Sequence, residues 1–554
     1  MSDKSKTAMS VTRIRIGIVL FALWWIPVYL LVPTILTAIG QGSNKKAVTI
    51  TTLVVVLIQT VIGFLGLFMA GKELTTTLGK VRTSKLPITV WNIFWHGDSY
   101  VNPAYLKTVK PKVKPVAAES KSEKSDINVD LITLVKSKDY ARLLVLAAII
   151  GVPISAISYF FLYFINHLEN WLYVKLPLNI GFSVTPRWWP FLPLIIASLI
   201  VGIVIKYLPG KGGHVPADGF KAGGYPLPVE LIGIIIAAIA SIGFGAVVGP
   251  EAPLIAIGGG LGYIAIRLMK KDVPSKTAAV VAATGSFAAI STLLGSPLLG
   301  AFLLMEASGL GGDKATAALV PGLLGAGIGS LIFTGIGSLT GLGTQSLVIP
   351  NLPTFTHITI GLFGWALAIG VIAAILGTII KRIGPLVADR VTKHTIQTVL
   401  ISGLLIAALA VIYSLITGHN STDVLFSGQS ALPYFISHAS SFSLAAIIIL
   451  FLTKGIAYSL SLGSFRGGPV FPSMFLGTLI GIALSHFSGL PEVPAIAMGI
   501  GAMAVTMLRL PFTSVLLATL LLLSSGVTLM PLVIVAVVVA FVISTKLLPK
   551  PINT

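Results

Sequence analysis

Long apolar stretches recur along nearly the whole chain and are separated by short polar connectors. They occupy residues 16–39, 48–70, 143–165, 188–207, 229–248, 254–269, 358–380, 395–417, 444–462 and 529–543. A helix of about 20 apolar residues is long enough to cross a bilayer. The pattern predicts an all-α membrane protein that crosses the bilayer many times.

Other apolar stretches are shorter or are interrupted by glycine and proline. They occupy residues 278–294, 297–310, 470–487 and 511–523. A broken helix is tolerated at membrane depth only where protein or an aqueous cavity satisfies the freed backbone groups. These stretches therefore indicate a transport protein.

Composition agrees with a membrane setting. Of 554 residues, 55% are hydrophobic and 10% are charged, whereas about 25% of the residues of an ordinary soluble domain are charged. The absence of cysteine excludes disulfides and thiolate metal sites and leaves the compartment open.

The net charge of +20 is concentrated in the connectors, above all between positions 72 and 142. By the positive-inside rule, this connector and the N-terminus lie in the cytoplasm. Binding of nucleic acid or another polyanion is the competing explanation of the charge, and a solvated cytoplasmic loop is favoured over it. We expect an N-terminal transmembrane hairpin (1–72), a basic cytoplasmic linker (73–140) and a membrane core (141–554). The first stretch is too long for a signal peptide and is expected to be retained.

One acid, Glu251, lies in an otherwise uncharged apolar run, between Pro250 and Pro253. Proline suits the first turn of a helix, so Glu251 is expected at a helix N-terminus. The helix dipole stabilises a carboxylate there, and it would stabilise a free anion equally well. Ionisable groups at membrane depth are usually functional. The alternative is a capping acid in a water-facing loop.

Three further motifs accompany this one. They are Gly210-Lys-Gly-Gly-His-Val-Pro216, Gly295-Ser-Pro-Leu-Leu-Gly-Ala-Phe-Leu-Leu-Met-Glu306 and Arg466-Gly-Gly-Pro-Val-Phe-Pro472. Each alone is weak evidence, because a glycine-rich turn before a membrane helix is common. Their order, with apolar spans between them, forms a pattern.

From about residue 138 onward, this set resembles the CLC family of chloride channels and chloride/proton antiporters. The matching loops are Gly212-Gly-His-Val-Pro216, Gly249-Pro-Glu-Ala-Pro253 and Gly468-Pro-Val-Phe-Pro472. The resemblance implies an inverted-repeat bundle with broken helices whose N-termini converge on an anion path. It also implies a homodimer with one path per subunit. The N-terminal hairpin falls outside the resemblance, and no C-terminal regulatory domain is expected.

Carried over position by position, Glu251 matches the family's gating glutamate. The anion-binding candidates are Gly212, Gly213, His214, Val215, Ala252, Gly468, Val470 and Phe471. Gly213 stands at the position of the family's serine, so that hydroxyl is missing. His214 could replace it, although a structural role for this histidine is favoured.

Pro250 and Pro469 also depart from the family pattern, because proline has no N–H to offer an anion. Either anion coordination is weaker or rearranged here, or both prolines simply begin helices. Ala307 stands where family antiporters carry a second, internal glutamate, and the family's pore-lining tyrosine on a final helix has no counterpart. Glu306 resembles the family's structural acid.

Three function classes follow. The first is chloride transport through a path gated by Glu251, passive or only weakly proton-coupled. The second is a secondary transporter or proton antiporter, for chloride or a different anion, on the same scaffold. The third, an intramembrane enzyme, is weakest because no catalytic cluster is visible. The expected partners are the bilayer of the cell membrane, a small anion and a second copy of the chain, with no nucleic acid, cofactor or bound metal.

Overall fold

The computed structural model describes residues 138–220, 224–269, 275–308, 312–340, 355, 357–522 and 525–547. The hairpin predicted for 1–72 and nearly all of the linker predicted for 73–140 lie outside these residues. Most described residues belong to one compact unit. The short segments Asn179–Gly181 and Tyr207–Lys211 fall outside that unit.

The described part of the chain is helical, and its one β feature is an isolated antiparallel bridge between Gly249 and Gly468. We number the helices α1 (Lys138–Asn170), α2 (Phe191–Tyr207), α3 (Pro228–Gly243), α4 (Glu251–Met269), α5 (Ser275–Leu294), α6 (Pro297–Ser308), α7 (Gly312–Thr340), α8 (Ile360–Lys393), α9 (Thr395–Thr417), α10 (Leu432–Ser437), α11 (Leu444–Ser464), α12 (Val470–Ser485), α13 (Glu492–Leu508), α14 (Pro511–Leu521) and α15 (Gly526–Leu547).

Within the described ranges, seven helices are long and apolar enough to cross a membrane. They are Tyr140–Asn179, Glu251–Leu268, Thr277–Leu294, Ile360–Lys393, Thr395–Thr417, Leu444–Ser464 and Gly526–Leu547. Several others, including α2, α3, α6, α12, α13 and α14, are apolar but shorter. The mixture of long and short helices agrees with the prediction of a multi-span, broken-helix protein.

Two helices are longer than the apolar pattern predicts. α1 passes through Pro153 and continues as a π-helical turn, Trp171–Lys175. α8 passes position 380 and ends at Lys393. The charge of Lys381 does not end α8, because its ammonium donates to the carbonyls of Thr506 (3.4 Å) and Met507 (2.8 Å). These carbonyls lie at the C-terminus of α13, where a cation is favoured.

Of the numbered helices, α7, α13 and the short α10 lie outside the predicted stretches. α13 packs closely on α12, and the crossing depends on two glycines. A Cβ atom at Gly477 would overlap the carbonyl of Gly499, and a Cβ at Gly499 would overlap the carbonyl of Gly477. Gly258 of α4 and Gly285 of α5 make the same reciprocal approach. Each helix that begins at a predicted anion-site loop, α4 or α12, is therefore held against the next helix by contact between backbones.

Candidate functional site

The segment from Phe244 to Pro250 connects α3 to α4 and is fixed at several points. The hydroxyl of Tyr173 donates to the carbonyl of Phe244 (2.7 Å), and the N–H of Phe426 donates to the carbonyl of Gly245 (3.3 Å). The N–H of Val247 donates to the hydroxyl of Ser461 (3.1 Å). The loop therefore holds the first residue of α4 in a defined place.

A backbone bridge joins this loop to the loop before α12. The N–H of Gly249 donates to the carbonyl of Gly468 (2.8 Å), and the N–H of Gly468 donates to the carbonyl of Gly249 (2.6 Å). Positions 249 and 468 are far apart in the sequence, so this pair of bonds brings the start of α4 beside the start of α12.

Glu251 is the first residue of α4 and is fully buried, with 0% of its surface exposed. Its Oε1 accepts a hydrogen bond from the N–H of Phe471 (2.9 Å). Its Oε2 is buried and has no hydrogen-bond partner among the described residues. An ionised carboxylate at the N-terminus of another helix is stabilised by free N–H groups and by the helix dipole. The water-facing capping acid considered above does not fit this burial.

Space for the carboxylate comes from two glycines. A Cβ atom at Gly468 would overlap Oε2 of Glu251, and a Cβ at Gly249 would overlap its carboxyl group. The N-terminus of α12 and the two glycines therefore form a small site, now filled by the carboxylate. A free anion placed there would meet the same N–H groups.

Pro469 directly precedes α12. It offers no N–H, so the first donors of the helix are Val470 and Phe471. The carboxylate of Glu251 accepts from the second of these, the N–H of Phe471, and Val470 directly precedes it. Three of the predicted anion-site residues, Gly468, Val470 and Phe471, thus lie together at the carboxylate. Ala252 follows Glu251 in the first turn of α4.

The early loop has a different environment. Gly212 and Gly213 have positive φ angles of 74° and 95°, a conformation that side chains disfavour. Nε2 of His214 lies 2.6 Å from the carbonyl of Gly219, as a structural role for this histidine would require. Val215 precedes the short turn Pro216–Asp218.

Arg466 connects the early loop to the third loop, and the sequence analysis did not single it out. It is only 4% exposed. A Cβ atom at Gly212 would lie 3.3 Å from its Cγ. Its backbone N–H donates to the hydroxyl of Ser241 (3.0 Å), and its Nη1 donates to the carbonyl of Phe465 (3.1 Å). The charge of this buried guanidinium interacts with that of Asp218, which lies in the turn after the early loop.

Tyr458 of α11 is a second residue that the sequence analysis did not identify. It is fully buried, and its hydroxyl donates to the carbonyl of Pro469 (2.8 Å). A tyrosine within an apolar helix looks like a packing residue in the sequence, because only the fold shows what its hydroxyl reaches.

A buried lysine, Lys454, fixes the segment that contacts the loop before α4. Its ammonium donates to the carbonyls of four consecutive residues, Asp423 to Phe426, at 2.8 to 3.3 Å. It also lies 4.5 Å from the centre of the Phe475 ring. Burial raises the pKa of Asp423 to about 6, although the charge of Lys454 acts to lower it. The segment held by Lys454 includes Phe426, which bonds to Gly245.

Glu306 lies near the end of α6 and binds the N-terminus of α14. Its carboxylate accepts hydrogen bonds from the N–H of Phe512 (2.9 Å) and from the N–H (2.7 Å) and hydroxyl (2.6 Å) of Thr513. The two bonds from N–H groups cap α14, and the hydroxyl bond adds a side-chain contact in its first turn. This arrangement fits the structural role expected for Glu306.

A family model described as "Voltage gated chloride channel" matches residues 220–545. The match covers more than half of the chain and includes both loops at the carboxylate. The chain belongs to the CLC family. Its function is therefore CLC-family anion transport in a multi-pass membrane protein, and the intramembrane enzyme is excluded.

Curated relatives and solved structures agree with this family. "Putative ion-transport protein YfeO" of Salmonella schwarzengrund is 25% identical over 375 residues, which cover 67% of this chain and 87% of the relative. The protein of the same name in Salmonella typhimurium has the same identity and coverage.

Three solved structures share the fold. A slow cyanobacterial Cl−/H+ antiporter superimposes with a TM-score of 0.60 and 19% identity, covering 74% of this chain and 96% of that one. A CLC-type fluoride/proton antiporter superimposes with a TM-score of 0.56 and 21% identity, covering 73% of this chain and 96% of that one. A eukaryotic CLC transporter superimposes with a TM-score of 0.55 and 15% identity, covering 74% of this chain and 72% of that one. These structures show the CLC-like fold of this chain.

Proposed function

We propose that the protein transports chloride along a path gated by the carboxylate of Glu251, passively or with only weak proton coupling. The observation that carries the proposal is the hydrogen bond from the N–H of Phe471 to the fully buried carboxylate. In this state the carboxylate fills the place that an anion would take. Transport requires the carboxylate to leave, after protonation or in competition with an anion.

The surrounding groups support an anionic substrate. The N-terminus of α12 presents N–H groups and the positive end of a helix dipole. Arg466 adds a buried positive charge between the early and third loops. We propose Glu251 as the gate. As anion-site residues we propose Gly468, Val470, Phe471 and Ala252, together with Gly212, Gly213, His214 and Val215 of the early loop.

A proton-coupled antiporter, for chloride or another anion, is the second candidate. Two structures with the same fold are described as antiporters, one for chloride and one for fluoride. Against coupling, Ala307 stands where the resemblance expects an internal acid. We further propose that the protein forms a homodimer in the cell membrane, with its N-terminus and residues 73–140 in the cytoplasm.

Anion efflux from liposomes containing the purified protein tests the gate. The liposomes hold chloride, and potassium with valinomycin compensates the charge. In the native protein, the charge-assisted hydrogen bond from Phe471 holds the carboxylate in the site by about 1.5–3 kcal/mol. Glu251→Gln removes the charge and so weakens this bond. We expect the variant to conduct about ten- to a hundredfold faster at neutral pH, since about 1.4 kcal/mol corresponds to a factor of ten. We also expect its flux to vary less with pH.

Glu230→Gln is the matched control, because Glu230 caps the N-terminus of α3 through the N–H of Leu227 and lies outside the site. The control should conduct like the native protein. Equal flux from Glu251→Gln and the native protein would remove Glu251 as the gate. If neither protein conducts chloride, nitrate or fluoride, the proposed substrate class is wrong.

A further inference from the structure

The Tyr458 hydroxyl binds the carbonyl that comes immediately before the first N–H donor of α12. The Pro469 carbonyl accepts this hydrogen bond at 2.8 Å, and Tyr458 has 0% of its surface exposed. A buried tyrosine hydroxyl needs a hydrogen-bond partner. Here that partner belongs to the backbone of the anion-site loop.

The geometry of the peptide unit connects this contact to the anion site. The carbonyl of Pro469 and the N–H of Val470 belong to the same peptide unit, which is planar and trans, so the two groups point in opposite directions. A hydrogen bond that holds the carbonyl toward α11 therefore directs the N–H of Val470 away from α11. That N–H is the first donor of α12, directly before the N–H of Phe471 that binds the Glu251 carboxylate.

The helix itself holds this peptide less tightly. Within α12, the N–H of Ser473 donates to the Pro469 carbonyl over 3.4 Å, which is longer than an ordinary N–H···O bond. Pro469 has no N–H with which to anchor the loop, and the backbone bridge to Gly249 ends one residue earlier, at Gly468. The phenol thus makes the shorter contact to the Pro469 carbonyl.

We propose that Tyr458 is a positioning residue for anion binding. Its hydroxyl fixes the Pro469–Val470 peptide so that the N–H groups of Val470 and Phe471 face one point, which Glu251 or the transported anion occupies. The proposal rests on the proposed function of this site. It also explains how the loop accommodates a proline at position 469: one N–H is absent, and the next is held in place from α11.

Tyr458→Phe removes the hydroxyl and keeps the ring. A single hydrogen bond contributes about 0.5–1.5 kcal/mol, so we expect the half-saturating anion concentration for flux in liposomes to rise about 3- to 10-fold. Maximal flux should change by less than about twofold. Chloride and nitrate should be affected by the same factor, because the hydroxyl acts through the backbone. In the Glu251→Gln background the same rise is expected.

Tyr413→Phe is the matched control. Tyr413 of α9 is also fully buried, and its hydroxyl bonds to Asp423 (3.3 Å) rather than to the anion-site loop. A rise in half-saturating concentration for Tyr458→Phe and not for Tyr413→Phe supports the proposal. An unchanged value, a loss of maximal flux alone, or unequal factors for chloride and nitrate overturns it.

Amide hydrogen exchange tests the positioning role independently of transport. Peptides covering residues 468–474 should exchange faster in Tyr458→Phe than in the native protein or Tyr413→Phe, because the first turn of α12 loses a restraint. Unchanged exchange there overturns the positioning role even if every variant conducts. If exchange is faster in Tyr458→Phe but no variant conducts anions, the positioning of the peptide is supported. The proposed function is then contradicted instead.

Discussion

At the residue scale, the Glu251 carboxylate occupies space that exists because positions 249 and 468 carry no side chain. The three atoms that a Cβ at Gly249 would meet first all belong to the Glu251 carboxyl group. Gly249 does not have a positive φ angle, so its backbone conformation suits alanine. A methyl group at 249 therefore acts mainly on a flexible side chain.

Gly249→Ala is expected to open the path by a steric route. The methyl group displaces the carboxylate from the N–H of Phe471, so chloride flux should rise at neutral pH in the direction expected for Glu251→Gln. Chloride efflux from liposomes that contain the purified variant measures this rise in flux. In a Glu251→Ala background the same substitution should change flux little, because its steric target is gone. Lower flux in both backgrounds would show that the methyl group blocks the path itself.

Sequence reasoning identified the charged residue of the site and missed the groups that support it. Glu251 was apparent because an acid in an apolar run is exceptional. Tyr458 and Arg466 were not identified, since their roles depend on contacts between segments. The hydroxyl of Tyr458 meets Pro469, and Arg466 lies beside Gly212. No local pattern encodes either contact.

At the element scale, the contact between α6 and α14 separates a structural acid from a proton carrier. Glu306 uses both carboxylate oxygens to bind the first turn of α14. Removing an N-terminal cap lowers the stability of a helix or protein by about 0.5–2 kcal/mol. Glu306→Ala should therefore lower the free energy of unfolding by about 1–2 kcal/mol. Thermal unfolding in detergent measures this as a lower midpoint temperature.

Thr513→Val provides the comparison for this prediction, because it removes one of the three contacts, the hydroxyl bond (2.6 Å). It should cost less stability than Glu306→Ala. If Glu306→Ala kept the native midpoint but abolished proton movement, the acid would have a transport role instead of a capping role.

Helix boundaries followed the apolar pattern where a helix ends in a polar connector. α9, Thr395–Thr417, coincides with the stretch predicted at 395–417. The pattern failed where tertiary contacts compensate for a polar residue. Lys381 looked like an end of α8, yet the C-terminal carbonyls of α13 bind its ammonium and the helix continues. Such compensation becomes visible only once two helices are placed together.

At the scale of the whole molecule, the fold does not by itself distinguish a channel from an antiporter. Proton coupling requires a route that carries protons between Glu251 and the other side of the membrane, through either a second acidic residue or a water-filled path. Position 307 carries alanine, and the nearby acid, Glu306, is committed to α14. Anions therefore have a candidate path, while protons lack an evident relay along the route that the family resemblance implies.

We accordingly expect a chloride gradient to drive no proton uptake above that of protein-free liposomes. The reversal potential of the purified protein should follow the chloride gradient alone and stay constant when a pH gradient is imposed. Coupled transport instead fixes a ratio of protons to anions, so a pH gradient would shift the reversal potential. Such a shift in the native protein, together with its loss in Glu251→Gln, would establish an antiporter that moves protons through Glu251 without an acid at 307. That result would direct the search for the inner relay to a water-filled path.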